Sequence, residues 1–65
     1  MNVGDPVELI QSHDKGRICH DFGLDSYCVQ FAQPLGCRRV AGLSLKLSTE
    51  PAPPCTDACS SGQCP

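Results

Sequence analysis

The chain has 65 residues, 18% of them charged, a formal net charge of −2 and six cysteines. That length leaves room for one domain, which buries only roughly 60% of the surface its unfolded chain exposes, so disulfides, a metal or a partner subunit are the usual supplements. The acidic balance and the five scattered basic residues exclude a chain built mainly to neutralise phosphates, since lysine and arginine supply most of the affinity for nucleic acid.

The N-terminus, Met1-Asn2-Val3-Gly4-Asp5-Pro6, has neither a basic n-region nor an apolar h-region. No apolar stretch approaches the ~20 residues of a spanning helix. A cytoplasmic location without a membrane partner is the expectation. In a reducing compartment six cysteines read as thiols or metal ligands, and in a secreted chain as a disulfide framework.

Val7 and Leu9 flank Glu8 in the period-two pattern of a half-buried strand. Ser12-His13-Asp14-Lys15-Gly16 reads as a turn, in which Asp14 serves through local backbone hydrogen bonds rather than through catalysis. Arg17-Ile18-Cys19-His20 is the next strand and Phe22-Gly23-Leu24-Asp25 the next turn. Tyr27, Val29 and Phe31 alternate with Cys28 and Gln30, the clearest strand of the chain. Gln33-Pro34-Leu35-Gly36 predicts a third turn, Cys37 to Ala41 a fourth strand, Gly42-Leu43-Ser44 a single 3₁₀ turn, and Leu45-Lys46-Leu47 a closing strand. The inward set is then Val7, Leu9, Ile18, Tyr27, Val29, Phe31, Val40, Leu45 and Leu47. Thr-Glu-Pro-Ala-Pro-Pro over 49–54 is a linker that favours extended polyproline geometry. Residues 55–65 have no apolar periodicity and cannot form a core of their own.

Short strands at this spacing predict a small all-β barrel or sandwich. The run Gly4-Asp5-Pro6-Val7-Glu8-Leu9, then Lys15-Gly16-Arg17-Ile18, Tyr27-Cys28-Val29-Gln30-Phe31 and Leu43-Ser44-Leu45-Lys46-Leu47 resembles small bacterial SH3-like and KOW-like barrels over residues 3–48. The resemblance implies a five-stranded SH3-like barrel over 1–48; the linker over 49–54 and a short, flexible cysteine-containing tail over 55–65 have no counterpart in it. Because it rests on turn and core positions, it speaks to fold more than to function.

If the second hairpin turns symmetrically around Gly23-Leu24, Ile18 faces Val29, Cys19 faces Cys28 and His20 faces Tyr27. Cys19 and Cys28 would then share the outer face with Cβ atoms ~4.5–5.5 Å apart. The third hairpin, centred on Pro34-Leu35, would pair Cys37 with Ala32 and Val29 with Val40. Cys55 and Cys59 have the C-x₃-C spacing of a zinc half-site. The candidate zinc ligands are therefore Cys19, Cys28, Cys55 and Cys59, with His20 or Cys64 as further donors. An unstructured tail with free thiols and a set of disulfides both remain open. The spacing C-x₃-C-x₄-C does not match the C-x₃-C-x₂-C of radical iron–sulfur enzymes.

No catalytic constellation is present. Cys19-His20-Asp21 are neighbours on a strand and point to opposite faces in turn. Arg38-Arg39 diverge for the same reason, and no phosphate-binding glycine loop occurs. The expected function is a non-catalytic interaction module for an unidentified protein partner. The alternatives are a thiol or zinc-binding accessory protein, and a KOW-like nucleic-acid or transcription accessory, against which the acidic balance counts.

Overall fold

In a computed structural model that describes residues 1–32 and 35–64, the strands are β1 (Pro6–Leu9), β2 (Lys15–Gly23), β3 (Ser26–Phe31), β4 (Cys37–Ala41) and β5 (Leu45–Leu47). A 3₁₀ turn over Gly42–Ser44 separates β4 from β5, and a one-turn helix, α1 (Asp57–Ser60), follows the linker. All strand pairs are antiparallel, in the order β4-β3-β2-β1-β5. The expected closed barrel is here an open sheet: β4 and β5 are its two edges and do not pair with each other among the described residues. The sheet is nonetheless curled. Flat, its edges would lie about 19 Å apart, whereas the three residues between β4 and β5 span at most about 15 Å.

The concave side carries the apolar core. Val7, Ile18, Val29, Phe31 and Leu45 are buried there, with Leu9, Tyr27, Leu35 and Val40 packed around them. Period-two alternation accounts for this set. Leu47 is the exception, 62% exposed, because it lies on the last residue of a three-residue edge strand and outruns the layer that would cover it. Gly16 sits where β2 crosses β3 closely; a Cβ there would lie 2.7 Å from the Val29 side chain and 2.8 Å from that of Phe31.

The β2–β3 hairpin differs from its expected register. Its two-residue turn is Leu24-Asp25, with φ of 52° and 60°, so it is centred one residue later than Gly23-Leu24. Paired left-handed residues match the strand twist in such hairpins. Asp25 suits the position, and its carbonyl accepts from the Gly42 N–H at 2.7 Å. Two irregularities, between Asp21 and Gly23 and between Ile18 and His20, then bring the ladder back to Ile18 opposite Val29. His20, not Cys19, therefore faces Cys28, and Asp21 rather than His20 faces Tyr27.

The β3–β4 pair is also displaced. Gln30 faces Cys37, Val29 faces Arg38 and Tyr27 faces Val40, where Cys37–Ala32 and Val29–Val40 were expected. The hairpin closes where the Phe31 N–H donates to the Gly36 carbonyl at 2.9 Å. Gln33 and Pro34 of the predicted turn lie outside the described residues. A slip of two residues keeps every side chain on its expected face, and it carries Cys37 one step closer to Cys28.

On the outer side, Glu8 lies between its cross-strand neighbours Lys15 and Lys46. Its carboxylate meets His13 Nδ1 at 3.0 Å, Lys15 Nζ at 3.2 Å and Lys46 Nζ at 3.9 Å. The His13 hydrogen bond, aided by both lysines and opposed by burial, holds the Glu8 carboxyl below its ordinary range.

Candidate metal centre

The convex face holds a second buried cluster, made of cysteine. Cys19, Cys28 and Cys59 are buried, with Cys37, Cys55, Cys64 and Phe22 packed against them. Three of these sulfurs come from adjacent strands, Cys19 on β2, Cys28 on β3 and Cys37 on β4, and Cys59 comes from α1. Cys64 follows the helix.

Local sequence explains how the tail reaches this face. Arg17 on β2 donates to the Pro53 carbonyl at 3.2 Å, the Ala52 carbonyl at 3.3 Å and the Gly4 carbonyl at 2.9 Å. One guanidinium thus satisfies carbonyls of a proline-rich segment poor in donors of its own. Thr56 caps α1: its hydroxyl accepts from the Cys59 N–H at 3.3 Å and donates to Gln30 Oε1 at 3.1 Å. The helix ends when Gly62, at φ +82°, takes the left-handed position. The Gly62 N–H then donates to the Cys59 carbonyl at 3.2 Å and the Gln63 N–H to the Ala58 carbonyl at 2.9 Å, a Schellman closure. That reversal turns Cys64 back beside Cys59.

The irregularity after Ile18 has a consequence for the neighbours Cys19 and His20. Strict alternation would send them to opposite faces, but an extra residue in the ladder relaxes that rule. Both reach the tail: Cys19 is disulfide-bonded to Cys55 at 2.09 Å, and His20 Nδ1 lies 3.3 Å from the Ser60 carbonyl. The His20 ring also packs edge-on against Phe22, centroids 4.7 Å apart, and Arg39 stacks over Phe22 at 4.4 Å.

The sulfurs of Cys28, Cys37, Cys59 and Cys64 all lie within 4.8 Å of one another, a separation compatible with ligation of one metal ion. Cys28 is 3.1 Å from Cys37 and 3.1 Å from Cys59. Cys64 is 2.6 Å from Cys37 and 3.7 Å from Cys59, and is disulfide-bonded to Cys28. Zinc bonded to four sulfurs at ≈ 2.3 Å would space them about 3.8 Å apart. The Cys59–Cys64 distance already matches, the contacts of Cys28 with Cys37 and Cys59 would open by about 0.7 Å, and that of Cys37 with Cys64 by about 1.2 Å. Burial, and then the adjacent Cys37 thiol, push the Cys59 thiol up to about 12.

Of the four ligands expected from sequence, the structure brings Cys28 and Cys59 into this cluster and pairs Cys19 with Cys55 beside it. Cys37 and Cys64 complete the group. The expected β3–β4 register sets Cys37 near the hairpin end, whereas the observed one places it opposite Gln30 and beside Cys28. Cys64 was named only as a further donor, although Thr56 and Gly62 carry a readable signal for the helical turn that delivers it. No family model, curated protein or solved structure matches this chain.

Proposed function

We propose that the chain is a small non-catalytic β module of SH3-like type, whose C-terminal segment is fastened to the sheet by a structural zinc centre with Cys28, Cys37, Cys59 and Cys64 as ligands. The observation that carries this reading is the convergence of the four sulfurs within 4.8 Å. Four thiolates fill the tetrahedral shell of zinc and leave no open position for water or substrate, which favours a structural role. Soft sulfur donors do not suit magnesium or calcium. A four-residue helix is far too short to persist alone, whereas zinc binding in small thiolate domains is worth about 10 kcal/mol or more at neutral pH. The short closing strand β5 laid back on β1 supports the SH3-like assignment. A groove between the β1–β2 turn and the 3₁₀ turn, lined by Leu9, Ile10, Gln11, Ser12, Leu43 and Ser44, favours a protein partner as the module's biological use.

Native mass spectrometry tests the zinc assignment. The fully reduced chain, given one equivalent of zinc, retains one ion. Cys37→Ser or Cys59→Ser weakens zinc by more than the roughly 10–100-fold typical of lost supporting contacts. The double variant Cys19→Ser, Cys55→Ser still holds it, because those two cysteines lie outside the cluster. Six free thiols without metal, or loss of zinc in the Cys19/Cys55 variant equal to that in Cys59→Ser, would overturn the assignment.

A further inference from the structure

Two of the four clustered sulfurs, those of Cys28 and Cys64, are also bonding partners. Building on the zinc reading above, we infer that the centre is a redox-gated metal site, in which oxidation joins Cys28 to Cys64 and thereby expels the ion. The two states exclude each other. A sulfur committed to a disulfide has no thiolate charge to donate, and Cys37 and Cys59 alone supply too few ligands for a closed zinc shell.

Exposure and position assign the roles. Cys28 and Cys59 are fully buried, while Cys37 and Cys64 are half-buried and form the edge of the cluster that faces solvent. Cys37 is held in the β3–β4 ladder opposite Gln30. Cys64 lies beyond the Gly62 reversal and touches all three other sulfurs. It is one of the two sulfurs open to an oxidant and is in contact with every neighbour that could resolve it.

The oxidant class is a peroxide. The Cys64 thiolate attacks hydrogen peroxide: an S–O bond forms, the O–O bond breaks, and the departing hydroxide takes a proton to become water. The Cys28 thiolate then attacks the Cys64 sulfenic sulfur. The S–S bond forms, the S–O bond breaks, and the second hydroxide leaves as water after protonation. Two thiolates have supplied the two electrons that reduce one peroxide. Zinc departs as Zn²⁺, and Cys37 and Cys59 each take up a proton, so each turnover consumes four protons. A dithiol reductant returns the two electrons by thiol–disulfide exchange. The Cys19–Cys55 bond lies outside the cluster, and while it is closed it keeps the tail on the sheet and the sulfurs within reach of one another.

The test begins with zinc uptake by the fully reduced chain. Failure of uptake overturns the zinc reading and this inference together. A chain that does take up zinc is titrated with hydrogen peroxide beside a colorimetric zinc indicator, and its disulfides are mapped by proteolysis and mass spectrometry. The expected result is one zinc released for each Cys28–Cys64 bond formed, with re-uptake once dithiothreitol is added. Three outcomes overturn the inference while leaving the zinc reading standing: zinc retained after Cys28–Cys64 has formed, release with the new bond at Cys37–Cys59, or release only with sulfinic and sulfonic acids that the dithiol does not reverse.

Discussion

The two faces of this sheet are held together by different chemistry. The concave face buries Val7, Ile18, Val29, Phe31 and Leu45, supplied by four strands and closed by non-directional apolar contact. The convex face buries Cys19, Cys28 and Cys59, and draws its cover from a tail whose sulfurs meet the sheet across separations such as the 36 residues between Cys19 and Cys55. A chain this short can fill one apolar layer but not two. The second layer is made of cross-linkable side chains, each small, whose bonds are stronger than any contact area they could bury. The concave face therefore governs whether the sheet folds, and the convex face governs whether the tail stays docked.

The largest effect should come from the concave side. Phe31→Ala removes the largest fully buried side chain and should cost about 3–5 kcal/mol, a large share of the stability of so small a domain. Urea unfolding followed by far-ultraviolet circular dichroism would show loss of the whole sheet. A tail that undocks while the strands persist would break the division between the faces. An intermediate effect is expected on the convex side from Gly62→Ala, because φ there is +82° and a Cβ would lie 3.0 Å from the His20 ring. It should cost about 1 kcal/mol or somewhat more. Amide exchange should quicken over Asp57–Gln63 and stay unchanged in β2 and β3; uniform quickening would show the faces to be one cooperative unit.

The smallest effect concerns Glu8, beside neither cluster. Its carboxyl is held below its ordinary value of 4.5, chiefly by the hydrogen bond with His13 and also by Lys15 and Lys46. A depressed folded-state value means that the unfolded chain takes up the proton first as the solution is acidified. The contribution of Glu8 is thus complete above its ordinary value and is lost as pH falls through the lower folded one. Glu8→Gln should lower stability slightly at pH 7 and flatten the acid limb of a denaturation series run from pH 6 to 2 (about the range over which carboxylates titrate). An unchanged acid limb would remove this ion cluster from any part in stability.

Much of the sheet was legible from residue pattern. Alternation in Tyr27-Cys28-Val29-Gln30-Phe31 placed Val29 and Phe31 inward and Cys28 outward, as the buried set bears out. Turn residues located the strand ends to within two or three residues, β2 taking in Lys15-Gly16 and Phe22-Gly23 of the turns expected on either side of it, and Gly42-Leu43-Ser44 is the 3₁₀ turn expected of it. Faces are readable because the strand repeat is two, so an error of two residues in pairing leaves them intact. The same property hid the partners. Nothing local distinguishes Cys37 opposite Ala32 from Cys37 opposite Gln30.

The cysteines show where sequence stops. Six thiols in so small a chain admit a metal staple, a set of disulfides or a loose tail, and Cys55-x₃-Cys59 offers one zinc half-site. Which sulfurs meet was decided by strand register and by where the tail docks, although Thr56 and Gly62 do mark the helical turn itself. The extra residue after Ile18 set His20 rather than Cys19 opposite Cys28, and Cys19 bonds Cys55 instead. The two-residue slip brought Cys37 beside Cys28, and the capped turn at Thr56–Gly62 carried Cys59 and Cys64 onto both. Residue types and their periodicity determined that there would be an apolar face and a sulfur face. Register is the difference between competing long-range pairings of similar energy, so the composition of the four-sulfur cluster was settled only when the chain was folded.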